Sequence, residues 1–155
     1  MIRVVLVEDE LLVRLGMKMC LEEHTDQLEV SETFATAQEA LDFFAHHTAD
    51  VLITDIRLPG MSGLEMLDML GSQHDDMCKI ILSCYDNFSY AREAYEKGVD
   101  RYLLKHELEE EDLANLVIEL WNEAKAERFS SGKNDSQANQ NTSGIGLVIG
   151  MHFLD

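Results

Sequence analysis

Three short runs of the chain are apolar without interruption and rich in β-branched residues: Val4-Val5-Leu6-Val7, Val51-Leu52-Ile53 and Ile80-Ile81-Leu82. Strands buried on both faces lack the alternation of half-exposed ones, so these runs predict the inner strands of a parallel sheet covered by helices. Weaker strand candidates are the segments from Glu29 to Phe34 and from Arg101 to Leu104. Between the strands the apolar residues shift to helical spacing: Leu12, Leu15 and Met19, then Ala40, Phe43 and Phe44, then Leu64, Leu67 and Leu70, then Ala91, Ala94 and Tyr95. The longest stripe is Leu113, Leu116, Val117, Leu120, Trp121 and Ala124. Methionine and aromatic residues on these stripes read as core filling. Gly71 and Gly98 stand where the third and fourth helices should stop and read as C-terminal caps.

Strand and helix thus alternate five times. With right-handed crossovers this predicts an α/β fold, a doubly wound five-stranded parallel sheet with five helices and the flavodoxin-like strand order 2-1-3-4-5. One domain is expected over residues 1–128. After Arg128 the composition turns to Ser, Asn, Gln and Gly, from Ser130 to Ser143, which cannot bury apolar area, so 129–155 reads as a polar linker or tail. The glycine-rich apolar segment from Gly144 to Leu154 is too short to span a membrane.

Composition narrows the function. Hydrophobic residues are 46% of the 155 and charged residues 27%, which supports a folded core rather than disorder. Acidic residues outnumber basic ones by 30 to 12, for a formal charge of -18, so this chain alone should repel nucleic acid. Cys20, Cys78 and Cys84 match no disulfide framework or metal-ligand spacing and read as reduced, half-buried thiols. Ile2 to Val7 begins a strand at once, with no secretory signal before it, and the expected location is the cytoplasm, without membrane contact.

In a sheet of this topology ligands gather at the C-terminal ends of the strands, near the point where strand order reverses. The first strand ends in Glu8-Asp9-Glu10, the third in Asp55, the fourth in Ser83 and the fifth in Lys105. Carboxylates converging from neighbouring strand ends repel each other unless a cation sits among them, and the natural candidate is magnesium (Mg2+), a hard ion that takes oxygen ligands. An ionised Asp55 can take a phosphoryl group directly. Lys105 and the metal would offset charge on that group, and Ser83 would hydrogen-bond one of its oxygens.

Four motifs carry a family resemblance: Val7-Glu8-Asp9-Glu10; Thr54-Asp55-Ile56-Arg57-Leu58-Pro59-Gly60-Met61-Ser62-Gly63; Leu82-Ser83; and Tyr102-Leu103-Leu104-Lys105. In that order, on those strand ends, they resemble the receiver domains of bacterial two-component response regulators. The resemblance runs from Met1 to the end of the last helix. It implies that a sensor histidine kinase phosphorylates Asp55, and that Asp9, Asp55 and the backbone carbonyl of Arg57 bind magnesium with Glu8 acting mainly through water. It further implies that Lys105 bridges to the phosphoryl group, and that Ser83 and Tyr102 form the switch, the ring turning inward behind the hydroxyl. The signal would leave through the face of the fourth helix, fifth strand and fifth helix, with a possible homodimer on phosphorylation. The stretches from Ser83 to Ala91 and from Asp100 to Leu108 resemble the subgroup with an AraC-type helix-turn-helix output domain, which would bind DNA and for which this chain has no room. Receivers usually carry proline after the lysine; here His106 follows Lys105, and a trans peptide is expected.

Two rival classes stand beside this reading. An aspartyl-phosphate phosphohydrolase needs a general acid two residues past its nucleophile, where this chain has Arg57; a phosphate-independent interaction module, or pseudo-receiver, needs none of the set Glu8, Asp9, Asp55, Ser83 and Lys105. The chain therefore reads as a regulatory phosphoacceptor with at most self-catalysed phosphotransfer and dephosphorylation, not an enzyme. Taken singly, Glu10 reads as a helix N-terminal acid, and Tyr102 as ordinary core. His24, His46, His47, His74, His106 and His152 read as solvent-facing.

Overall fold

The computed structural model of the chain describes residues 1–23, 26–108 and 112–131, the last four of them by backbone alone. The elements follow in the order β1 (Ile2–Val7), α1 (Leu11–Glu23), β2 (Leu28–Phe34), α2 (Ala37–Phe44), β3 (Val51–Thr54), α3 (Gly63–Leu70), β4 (Cys78–Ser83), α4 (Phe88–Glu96), β5 (Arg101–Leu104) and α5 (Leu113–Ser131). The strands form one parallel sheet in the order β2-β1-β3-β4-β5, the order expected from the sequence.

Every residue of β3 and β4 is buried, which is why those runs carry no polar alternation. Their side chains divide between two cores. Val5, Val7, Leu52 and Ile81 pack beneath α2, α3 and α4, against Ala40, Phe44, Leu64, Met66, Leu67 and Ala91. Val4, Leu6, Ile53, Ile80 and Leu82 pack on the opposite face against α1 and α5, through Leu21, Leu113, Val117, Leu120 and Ala124. The edge strand β2 alternates at its start, Leu28 and Val30 inward and Glu29 outward, and so gave the weaker strand signal.

Local chemistry sets the helix ends. Thr36 caps α2 by accepting from the Glu39 N–H, and Ser62 caps α3 by accepting from the Glu65 N–H at 3.1 Å. Gly71 and Gly98 sit at φ 64° and 92°, left-handed conformations in which a side chain would be strained, so both end their helices as expected. α5 continues past Arg128 to Ser131, and residues 132–155, with most of the expected tail, lie outside the described residues.

Three expectations are corrected. The stripe of Leu12, Leu15 and Met19 does not fill the core: these residues are 83%, 47% and 57% exposed. α1 is apolar nearly all round, and the line that faces inward is instead Val13, Met17, Cys20 and Leu21, with Leu21 fully buried. The cysteines are not uniformly half-buried; Cys20 is, whereas Cys78 is buried in β4 and Cys84 is exposed. His46, His47 and His106 face solvent, but His74 is half-buried with its ring edge-on to Phe44 at 5.3 Å; His24 and His152 lie outside the described residues.

Candidate functional site

β1, β3 and β5 end at one rim of the sheet, and the residues that follow them form the site. Register fixes this convergence: Val7 pairs with Thr54, Thr54 with Ile81, and Ser83 with Leu104. Glu8, Asp9 and Asp55 each present a carboxylate oxygen within 4.8 Å of the others. The Lys105 ammonium donates to Glu8 Oε2 at 2.9 Å and to Asp55 Oδ2 at 3.0 Å. Glu8 is 2% exposed and Asp55 6%, while Asp9 is exposed, so the cluster opens to solvent on the Asp9 side.

Burial and neighbours shift these groups in opposite senses. Burial pushes the Glu8 carboxyl above its ordinary value, partly offset by its hydrogen bond to Lys105. Burial works against the Lys105 ammonium, but the two carboxylates outweigh it and hold the net shift upward. One ammonium thus contacts two of three clustered carboxylates, a surplus of negative charge built from hard oxygen donors. Such a set could hold a divalent cation such as magnesium. The peptide between Lys105 and His106 is trans, and the lysine reaches both carboxylates from it.

The backbone holds Asp55 firmly. Its N–H donates to the Val7 carbonyl at 3.2 Å, the Thr54 hydroxyl donates to its carbonyl at 2.9 Å, and the Ile56 N–H donates to Oδ1 at 2.6 Å. The Gly63 N–H then donates to the Ile56 carbonyl at 2.7 Å. A Cβ at Gly63 would lie 2.1 Å from the Asp55 carbonyl oxygen, so only glycine lets α3 start this close to the site.

Ser83 is fully buried at the end of β4, and its Oγ accepts from the Tyr85 N–H at 3.1 Å. Tyr102 is already turned inward: it is 3% exposed, and its hydroxyl donates to the Tyr85 carbonyl at 2.6 Å. Burial pushes its phenol up to about 12, and Ser83, within side-chain hydrogen-bonding reach, moderates the shift. Arg57 lies in the loop after Asp55 with its guanidinium 4.3 Å above the Tyr85 ring.

The structure therefore gathers Glu8, Asp9, Asp55 and Lys105 in one cluster and places Ser83 beside Tyr102. Sequence reasoning missed Tyr85, the residue that joins the latter pair, and Arg14, whose guanidinium donates to the Glu8 carbonyl at 2.7 Å. Tyr85 lay within a quoted stretch but carries its role in its peptide group, which no residue type signals. A cavity of about 700 Å3 lies away from this rim, lined by Arg3, Phe43, Phe44, His46, His47 and His74. Among the described residues the acidic set able to hold a metal ion is the one at the rim, Glu8, Asp9 and Asp55, and none of these three lines this cavity.

This topology with an acidic cluster and a lysine at the strand ends defines a receiver module. Residues 4–118 match the family described as response regulator receiver domain, and the chain belongs to it. The transcriptional regulatory protein DesR of Bacillus subtilis is 39% identical over 125 residues, 79% of this chain and 59% of that protein. The uncharacterized transcriptional regulatory protein YesN of the same organism is 30% identical over 116 residues, 75% of this chain and 32% of that protein. Among solved structures, a CheY-like response regulator receiver domain protein from Methanospirillum hungatei JF-1 superposes with a TM-score of 0.72 at 26% identity, covering 82% of this chain and 98% of that one. A LuxR-family DNA-binding response regulator from Staphylococcus aureus gives 0.71 at 26% identity, covering 78% and 99%. The chain spans between about a third and three fifths of the length of these curated relatives.

Proposed function

We propose that Asp55 is the phosphoacceptor of a two-component switch, receiving its phosphoryl group from a sensor histidine kinase. The observation that carries this reading is the placement of Asp55, nearly buried, against the Lys105 ammonium at 3.0 Å and beside the carboxylates of Glu8 and Asp9. In the transfer, an Asp55 carboxylate oxygen forms a bond to phosphorus while the P–N bond of the donor's phosphohistidine breaks, leaving the electron pair on the imidazole nitrogen. Lys105 stabilises negative charge on the transferring oxygens, the main demand of phosphoryl transfer. Glu8, Asp9, Asp55 and the backbone carbonyl of Arg57 would hold magnesium, which when bound supplies further neutralisation. Ser83 accepts the arriving group as a hydrogen-bond donor, and Tyr102, packed behind it, reports the change to the face of α4, β5 and α5.

The protein is then a regulator in the cytoplasm rather than an enzyme, with self-catalysed phosphotransfer and dephosphorylation only. Among the described residues no helix is long and apolar enough to cross a membrane. The relatives named as transcriptional regulators support control of transcription through a DNA-binding output domain. The stretches around Ser83 to Ala91 and Asp100 to Leu108 favour an AraC-type output, and phosphorylation would favour a homodimer through α4 and α5.

Incubation with acetyl phosphate and magnesium, followed by intact mass, tests the reading. One added phosphoryl group, absent in Asp55→Asn and after chelation of the metal, is expected. A wild-type mass that never changes would make the chain a phosphate-independent interaction module instead.

A further inference from the structure

Tyr85 meets three different partners through three of its parts. Its N–H donates to Ser83 Oγ, its carbonyl accepts from the Tyr102 hydroxyl, and its ring lies beneath the Arg57 guanidinium. Tyr90, from the first turn of α4, stands edge-on to the same ring at 6.3 Å and 77°. Tyr90 also hydrogen-bonds the Arg57 side chain, and with Tyr85 it holds the guanidinium above its ordinary value. Arg57 belongs to the loop after β3 and Tyr85 to the loop after β4, so this contact joins the two loops above the site.

We propose that Arg57 and Tyr85 form a clasp that fixes the loop after β4 and thereby keeps Tyr102 turned inward, which makes Arg57 a positioning residue of the switch. An exposed arginine on a tyrosine is commonly plain surface packing. This one differs because the ring belongs to the residue whose peptide carries both switch contacts. If the guanidinium leaves, the Tyr85 peptide is freer to rotate, and the buried Tyr102 hydroxyl loses its 2.6 Å bond to the Tyr85 carbonyl, with Ser83 still within reach. Losing that bond weakens the hold on the inward ring, so the population turned outward to water would rise. The clasp also links switch to acceptor, since Arg57 lies two residues beyond Asp55 and Tyr85 two beyond Ser83.

The test uses the whole chain with Arg57→Gln, which removes the charge, and Arg57→Lys, which keeps it. Arg57 is at the surface. Without ligand, NMR hydrogen exchange at the Tyr85 amide is expected to accelerate about two- to fivefold in Arg57→Gln, the size of an exposed cation–π contact, and to recover in part in Arg57→Lys. Ring contacts of Tyr102 should show a second, outward population in Arg57→Gln that is absent from the wild type. Unchanged Tyr85 exchange and a single inward Tyr102 ring in Arg57→Gln would overturn the clasp. A second arm rests on the phosphoacceptor reading of Asp55: affinity for beryllofluoride with magnesium is measured in Arg57→Gln, Tyr102→Phe and the double variant. Non-additive losses support the clasp, and additive ones refute it. A wild type that takes no beryllofluoride would sink the phosphoacceptor reading, leaving the ligand-free measurements to decide the clasp.

Discussion

α1 and α3 leave the site in the same way, each beginning just after a strand end that bears a carboxylate, and each carries apolar residues at helical spacing. They then part. α3 starts with its backbone against Asp55 and buries Leu64, Met66, Leu67 and Leu70. α1 commits Leu21 fully and Val13, Met17 and Cys20 partly, and turns Leu11, Leu12, Leu15 and Met19 to solvent. The cause is sequence redundancy. α3 offers one broad apolar face and leaves Met69 as the exposed apolar residue outside it, whereas α1 offers two, and packing on the sheet and α5 selects one of them. The difference teaches that apolar periodicity predicts a helix reliably but names its inner face only where the outer face is polar.

Truncation at equivalent spacing should expose the difference most strongly. Met66→Ala removes a fully buried side chain from the core under α3 and is expected to cost about 2–5 kcal/mol by urea unfolding. Leu12→Ala, by the same measurement, should stay within about 0.5 kcal/mol. Equal costs would mean that α1 packs inward in solution.

Glycine to alanine offers a sharper form, because the sign itself should reverse. At Gly63 the new methyl would meet the Asp55 backbone at 2.1 Å, and overpacking against backbone costs about 1–3 kcal/mol. At Gly16, inside α1, nothing lies within 4 Å of the added carbon, and the gain in helix propensity is about 0.5–1 kcal/mol. Thermal melts of the two variants should move in opposite directions. Both moving downward would show that α1 is more tightly seated than its exposure implies.

Much of this was legible from residue order alone, for physical reasons that can be located. β1, β3 and β4 betrayed themselves because the middle of a strand covered on both faces shows no polar alternation, and the site followed because their ends carry Glu8-Asp9, Asp55 and Ser83. Lys105 was legible despite the histidine after it, since its reach depends on a long side chain rather than on the next peptide. What stayed hidden depends on contacts between distant segments. His74 looked solvent-facing until Phe44 was brought against it, and Lys79, buried in β4 with its ammonium on the His74 carbonyl, gave no sign in the strand pattern. Tyr85 acts through its peptide and Gly63 through its lack of a side chain, and neither property shows in a list of chemically active residue types.

The smallest expected effect on stability falls on the outer face of α1, where the comparison has its consequence for function. Leu12 lines a cavity of about 260 Å3 together with Val13, Gly16, Met17 and Lys105, so the exposed face of α1 adjoins the lysine that contacts Asp55. With Asp55 as the phosphoacceptor proposed above, a macromolecular donor would have to cover this rim, and scattered leucines at the edge of a charged site would supply the apolar area such a docking needs. A small donor such as acetyl phosphate needs no such area. The double variant Leu12→Ser and Leu15→Ser should therefore unfold within about 1 kcal/mol of wild type, taking about 0.5 kcal/mol as the limit for each surface change. It should also accept phosphate from acetyl phosphate at the wild-type rate, yet lose about tenfold or more in transfer from a phosphorylated histidine kinase, as expected when one interface anchor worth about 1.4 kcal/mol is removed. Equal losses with both donors would place the defect in the site and not in docking. Equal retention with both would leave the exposed stripe of α1 without a partner in this reaction.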